Sequence, residues 1–332
     1  MTQDWLLHLK VNPVPTLLTC PDPAVEYFAR RDLLCESMEP INQIWQLPEV
    51  QKIIRKQQPD GSWKHSGKEA VTYPPYHYAL VETWKNIRIL VERYEANRRV
   101  KAVELAAEFL FSCQTRQGDI RGMLANQYAT YYTGAMLAVL IKAGYADDPR
   151  VAKGLDWLFS MRQNDGGWSI PLLTRGLTQQ AINDLTSRYA EPIEPDRSKP
   201  FSHNWTDMVL RAFAAHPIRR YIKEAHIAAD LLKSRFFQPD AYSSYQDDRY
   251  WVRFMFWWPN LVTALESLML LGYSKDDSDV QKGLYWLIEN QLPNGLWKLD
   301  NAKNAKQKEV PSVDQFWLTL RIAKIMKHFY WE

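Results

Sequence analysis

The chain has little that would staple it, anchor it or hold a metal. Three of its 332 residues are cysteines, and Cys20, Cys35 and Cys113 are scattered, which argues against a disulfide framework and against a cysteine-based zinc knuckle. The seven histidines form no His-x-x-x-His pair and no Glu-x-x-His helix motif, so neither a metal nor another cofactor is expected. Apolar residues never run long enough to span a bilayer. With 41 basic and 38 acidic residues, a formal charge of +3 gives no field that implies nucleic acid. Asp4 stands beside a very short apolar patch without a basic leader, so no signal or transit peptide is read and a cytoplasmic protein is expected. The pairs Arg98-Arg99 and Arg219-Arg220 read as solvated surface.

What the chain does have is a recurring phrase. Lys153-Gly154-Leu155-Asp156-Trp157-Leu158, followed by Gln163-Asn164-Asp165-Gly166-Gly167-Trp168, returns as Lys282-Gly283-Leu284-Tyr285-Trp286-Leu287 with Gln291-Leu292-Pro293-Asn294-Gly295-Leu296-Trp297. Weaker copies start at Gln58, Gln114 and Gln238; the last has Ala241 and Tyr242 in place of Gly and Trp. Each copy reads as a helix ending in Gln, a tight turn on a Gly that accepts positive φ, and a Trp packing back on the preceding layer. Between the copies lie apolar stretches at helical spacing near 76–94, 127–143, 203–215, 257–272 and 312–330. They alternate with phrase-bearing helices near 46–57, 99–113, 150–162, 221–236 and 279–290. A further apolar helix at 24–35 and a short one around Trp5 complete the count. The expected fold is therefore all-α, an α/α toroid of about six inner and five to six outer helices. One domain, 1–332, is expected, with phrases near 46–63, 101–120, 153–168, 227–242 and 282–297.

The Lys-Gly-x-x-Trp-Leu to Gln-x-x-Gly-x-Trp phrase resembles the QW repeat of squalene and oxidosqualene cyclases and of the related prenyltransferase toroids. Together with Pro311-Ser312 leading into Trp317-Leu318-Thr319-Leu320-Arg321, it also resembles uncharacterised single-toroid proteins with such repeats. The resemblance implies the toroid, while the family's chemistry does not carry over residue by residue. A class II cyclase needs an Asp-x-Asp-Asp acid, which is absent here. Asp147-Asp148 and Asp276-Asp277-Ser278-Asp279 sit where helix caps belong, and Asp247-Asp248 lies in a loop. The prenyltransferase zinc set needs an Asp placed one residue ahead of a Cys, as Asp-x-Cys, plus a distant His; Cys20 precedes Pro21-Asp22, Cys35 precedes Glu36 and Cys113 precedes Gln114, so those ligands carry over to no position here.

Polar and aromatic residues gather at the starts of the predicted inner helices, where a toroid opens its central cavity. Tyr76, His77, Tyr128, Tyr132, Trp205, Trp257, Trp258 and Trp317 are the expected substrate-binding residues, since aromatic faces hold an isoprenoid or lipid by apolar contact. The alternative is that they fill the gap between two helical layers. His203 and Asp207, four apart on one helix, form the expected catalytic dyad, with Asp314 as the second carboxylate; a surface pair or a cap are the plain alternatives. The long connection from Ser169 to Pro200, with a short helix near 178–187, reads as a lid or an external decoration, and a second irregular stretch runs from Gln238 to Trp257. An isoprenoid- or lipid-binding toroid, with or without turnover, leads the functional expectations. A noncatalytic interaction scaffold follows, and a carbohydrate-active α/α toroid comes third.

Overall fold

A computed structural model describes residues 4–71, 73–242, 247–254, 258–299 and 311–331. The chain divides into two compact units: unit 1 is Met1–Pro40, Lys233–Pro239 and Tyr245–Glu332, and unit 2 is Ile41–Leu232 and Asp240–Ser244. Helices are α1 Val14–Leu17, α2 Pro23–Phe28, α3 Pro48–Ile54, α4 His77–Glu92, α5 Lys101–Ser112, α6 Thr130–Leu140, α7 Pro149–Ser160, α8 Gln179–Ser187, α9 His203–Ala215, α10 Lys223–Ser234, α11 Leu261–Leu270, α12 Ser278–Glu289 and α13 Val313–Tyr330. The architecture is all-α, as the periodicity predicts. One four-residue strand, Met123–Asn126, interrupts the alternation between α5 and α6. No described helix is long and apolar enough to cross a membrane.

In unit 2, α4 packs on α5, α6 on α7, and α6 most extensively on α9. Helix α6 is apolar around nearly its whole circumference, and all its residues but Tyr132 are buried, as a helix enclosed on every side requires. Gly134 sets its distance from α9: a Cβ there would fall 2.6 Å from Val209 Cα. Side chains cap the starts of these helices, Asp148 at a cap the sequence predicts. Asp148 accepts the Arg150 N–H at 2.8 Å and Ser202 accepts that of Trp205 at 3.3 Å, each contributing about 1 kcal/mol.

The recurring phrase is a recurring set of hydrogen bonds. In unit 2, Gln57 Nε2 donates to the Gly61 carbonyl at 2.9 Å and to that of Ala102 at 2.8 Å; Gln114 Nε2 donates to Gly118 and Arg150, both at 2.8 Å. Each glutamine thus closes its own turn and grips the start of the next phrase-bearing helix. The repeat glutamine is Gln57, six residues before Trp63, and not its neighbour Gln58. In the third copy the same place belongs to Arg162, whose Nε donates to Gly166 O at 2.9 Å. Trp63 and Trp168 each donate Nε1 to the carbonyl ten residues back, Ile53 at 2.9 Å and Leu158 at 2.7 Å. A fully buried inner-helix threonine receives the backbone N–H at the tryptophan position: Thr83 for Trp63, Thr133 for Ile120 and Thr206 for Trp168.

Unit 1 repeats the scheme. Gln291 Nε2 donates to Gly295 O at 3.0 Å and Val11 O at 2.7 Å, Trp297 Nε1 to Leu287 O at 2.7 Å, and Trp297 N to Thr319 Oγ1 at 3.3 Å. Helix α13 packs against α11, α1, α2 and the 3-10 turn Asp4–His8, and Arg321 on it pairs with Glu266 of α11 at 2.5 Å. Asn260 caps α11 with a full capping box, and Asp277 caps α12 through the N–H groups of Asp279 and Val280.

Candidate functional site

His203 and Asp207 have separate partners. His203 opens α9, and its Nδ1 lies 3.4 Å from Oδ2 of Asp240, with both side chains buried. The same carboxylate accepts Ser202 Oγ at 2.7 Å and Asn204 N at 3.2 Å, and its Oδ1 accepts Tyr242 N at 2.9 Å. Asp240 therefore fastens the loop after α10 to the first turn of α9. Sequence reasoning missed it, although a signal existed. Asp60, Asp165, Asp240 and Asn294 each accept the N–H two residues on, so the aspartate of the eroded fourth phrase keeps the turn chemistry of the intact ones. Asp207 accepts from Arg211 Nη2 at 2.5 Å and Nε at 3.2 Å. A carboxylate engaged this way is arranged as an acceptor.

Four aromatic residues of unit 2 form a continuous contact series. Trp205 meets Tyr131 with ring centroids 4.5 Å apart, Tyr131 meets Tyr132 at 4.3 Å, Tyr132 stands edge-on to Trp84 at 5.4 Å, and the Arg88 guanidinium lies 4.9 Å from the Trp84 ring. Trp84, Tyr131 and Trp205 are 2%, 6% and 5% exposed, and Arg88 and Asp207 only 4% and 1%. Tyr131, Trp84 and Arg88 were not among the residues expected to bind, since their direction depends on helix rotation that spacing alone leaves open.

The other expected residues have the following surroundings. His77 Nδ1 donates to the Gly122 carbonyl at 2.7 Å. The Tyr76 phenol is pushed up to about 12 by burial, with Cys113 and Tyr73 adding to it. Tyr128 touches Gln117 Oε1 at 3.2 Å and Glu194 Oε1 at 3.1 Å, and its ring lies 4.7 Å below the Arg121 guanidinium. Arg121 in turn pairs with the fully buried Asp119 at 2.5 Å. In unit 1, Trp317 Nε1 donates to Asp22 Oδ2 at 3.1 Å, and Trp258 is half-buried with its carbonyl accepting Asn260 Nδ2 at 2.8 Å. Asp314 is exposed on the first turn of α13, where Ser312 provides the side-chain cap. Trp257 lies outside the described residues. Among the described residues no cluster of His, Cys, Asp or Glu is placed to hold a metal ion.

The connection after Trp168 contains a 3-10 turn, Pro171–Arg175, and α8. Its later half is fastened to the start of α6: Asn126 Nδ2 donates to Ala190 O at 3.0 Å, Gln127 Nε2 to Glu191 O at 3.1 Å, and Ile193 N to Gln127 Oε1 at 3.0 Å. Gln163 Nε2 holds the carbonyls of Asp196 and Lys199, both at 2.8 Å.

No protein-family model and no curated protein matches the chain. Among solved structures it is similar to the type II terpene cyclase MstE from Scytonema, in a variant complexed with merosterolic acid A, at 16% identity and TM-score 0.45 over 98% of this chain and 86% of that one. A protein from Actinoplanes matches at 12% identity and TM-score 0.44 over 87% of each chain. A polysaccharide lyase matches at 13% identity and TM-score 0.44 over 94% of this chain and 91% of that one.

Proposed function

We propose that this protein binds an isoprenoid or comparable lipid against the aromatic series of unit 2, with Trp84, Tyr131, Tyr132 and Trp205 as its apolar wall. The observation that carries this is the burial of Arg88 against the first of four contiguous rings, together with the buried Asp207 on the helix that carries Trp205. Charged groups taken out of water cost several kcal/mol each, and a layer that only needed filling would be served better by aliphatic residues. Aromatic walls with a few charged groups at depth suit an apolar ligand that carries one polar end. Because Asp207 is arranged as an acceptor, we assign it to orienting the ligand and not to protonating an alkene.

The test is to incubate the purified full chain with a lipid extract of its host and identify by mass spectrometry what is retained. A retained polyprene or sterol-like species that is lost in Trp205→Ala supports the reading. A mass change over time that is absent in Asp207→Asn or His203→Ala adds turnover. Retention of nothing by a folded protein refutes the reading and leaves the rings as packing between helical layers.

A further inference from the structure

Turns that join an inner helix to the outer helix after it share a fastening: a side chain accepts the N–H two residues ahead. In unit 2, Asn97 Oδ1 accepts Arg99 N at 3.1 Å and Asp148 Oδ1 accepts Arg150 N at 2.8 Å. In unit 1, Asp277 Oδ1 accepts Asp279 N at 3.0 Å. Amides never titrate and carboxylates do so only in acid, so such turns stay fastened across the neutral range. The α9–α10 turn of unit 2 gives the same task to a histidine.

Proline disfavours the helical conformation in the residue before it, and His216, ahead of Pro217, leaves α9 with φ −77° and ψ 127°. It is 7% exposed. Its Nδ1 accepts Ile218 N and Arg219 N, both at 3.1 Å, and so starts the 3-10 turn Arg219–Tyr221. Its Nε2 donates to the Ala146 carbonyl in the α6–α7 turn at 3.2 Å. These three bonds define one protonation state. Both partners of Nδ1 are donors, so that nitrogen carries no proton, and the single proton of a neutral ring sits on Nε2. A second proton would set Nδ1–H against two N–H groups and break both bonds.

Charged groups act on the ring from more than one element. Burial lowers its pKa below the ordinary 6.5 and Arg219 and Arg220 of its own turn lower it further, while the Ala146 carbonyl and Asp147 of the α6–α7 turn act against them. Both arginines are tied down beside it, Arg219 to Asp156 of α7 at 3.0 Å and Arg220 Nε to the His216 carbonyl at 3.2 Å.

We propose that the α9–α10 turn is an acid-released latch. A proton on Nδ1 of His216 breaks the bonds that hold Ile218 and Arg219, and the turn opens. Ile218 and Tyr221, 68% and 73% exposed in the closed turn, are then no longer held in one arrangement. An imidazole in the opened turn takes a proton at the ordinary 6.5, more readily than the closed one, so opening becomes more favourable as pH falls below that value. The latch is independent of the lipid reading of unit 2.

Hydrogen–deuterium exchange of the full chain at pH 7.5 and at pH 5, corrected for the intrinsic change in rate, tests it. The Ile218 and Arg219 amides are expected to lose protection at least threefold, up to a ceiling of about thirtyfold set by a group of pKa 6.5 at pH 5. The Arg150 and Asp279 amides, held by carboxylates, keep theirs. In His216→Asn an amide oxygen replaces Nδ1 without titrating, and protection at 218 and 219 is expected not to change with pH. Equal protection at both pH values in the parent, a fall as large in His216→Asn, or one shared by the Arg150 and Asp279 amides overturns the proposal.

Discussion

Replacing Gly134 by alanine tests whether α6 and α9 are held at backbone contact. The new Cβ would lie 2.6 Å from Val209 Cα and 3.0 Å from the Met208 carbonyl oxygen. Both are main-chain atoms of a buried helix and move only with it. The shorter distance is roughly 0.8 Å inside the 3.4 Å at which ordinary contact begins, and overpacking of that kind costs about 1–3 kcal/mol. Because both contacts are with main chain the upper half of that range applies, about 2–3 kcal/mol; removing a mid-helix glycine returns about 1 kcal/mol, so Gly134→Ala is expected to lose about 1–2 kcal/mol. Gly154→Ala is the matched control. Its Cβ meets Leu137 Cδ1 at 2.8 Å, Cδ2 at 3.1 Å and the Gly118 carbonyl oxygen at 3.3 Å; the two tightest contacts are the far ends of a side chain and not main chain, so the cost is smaller and the two terms nearly cancel, leaving it within about 0.5 kcal/mol of the unmodified chain. Urea midpoints followed by tryptophan fluorescence compare the two without assuming that both units unfold in one step. A midpoint for Gly134→Ala at or above that of the parent, or an equal loss for Gly154→Ala, would refute the reasoning.

Thr206→Val is nearly isosteric but leaves the Trp168 N–H, now bonded at 2.9 Å, without a buried acceptor; a loss of about 1–3 kcal/mol is expected, together with faster exchange of that amide. Asp148 is held below the ordinary 3.8 by its side-chain bonds from Arg150, which outweigh burial. A carboxyl with a depressed folded pKa stabilises above its unfolded value, and the contribution is lost as pH falls through the folded one. The stability gap between the parent and Asp148→Asn should therefore be full above about pH 4 and narrow as pH drops further; a gap that does not change with pH in the acid range contradicts the assignment. Burial pushes the Cys113 thiol up to about 12 and also raises Cys20, whereas Cys35 is exposed with Lys327 Nζ 3.0 Å from its sulfur. The thiol that reacts first with a disulfide reagent in the folded chain should disappear in Cys35→Ser.

The helical order was open to reading because apolar period and cap chemistry are local. Asp148 and Asp277 cap where Gly-to-Asp turns predict, and the short helix expected near 178–187 is α8. What escaped the sequence is set by distance along the chain. The threonines that receive the repeat N–H groups stand 20, 13, 38 and 22 residues beyond their partners Trp63, Ile120, Trp168 and Trp297, so no fixed spacing marks them. The repeat glutamine was misplaced by one residue because Gln57 and Gln58 are adjacent and only the bond to Gly61 tells them apart. Arg162 was hidden because a guanidinium does an amide's work. For the candidate site, the aromatic positions of α6 and α9 were visible, while the partners of His203 and Asp207 were not, since Asp240 lies a whole helix away and Arg211 competes from one turn on.

The two-pronged glutamines have a bearing on the order in which the chain is made. Gln57 and Gln114 complete their second bond on residues synthesised after them, Ala102 and Arg150, whereas Gln291 completes its own on Val11. A nascent chain emerging from the ribosome can settle its early turns as each following helix arrives, yet its opening segment waits for nearly the last repeat before Val11 acquires both of its bonds to Gln291. Loss of residues from the far end therefore unfastens the beginning of the chain before it disturbs the turns of unit 2.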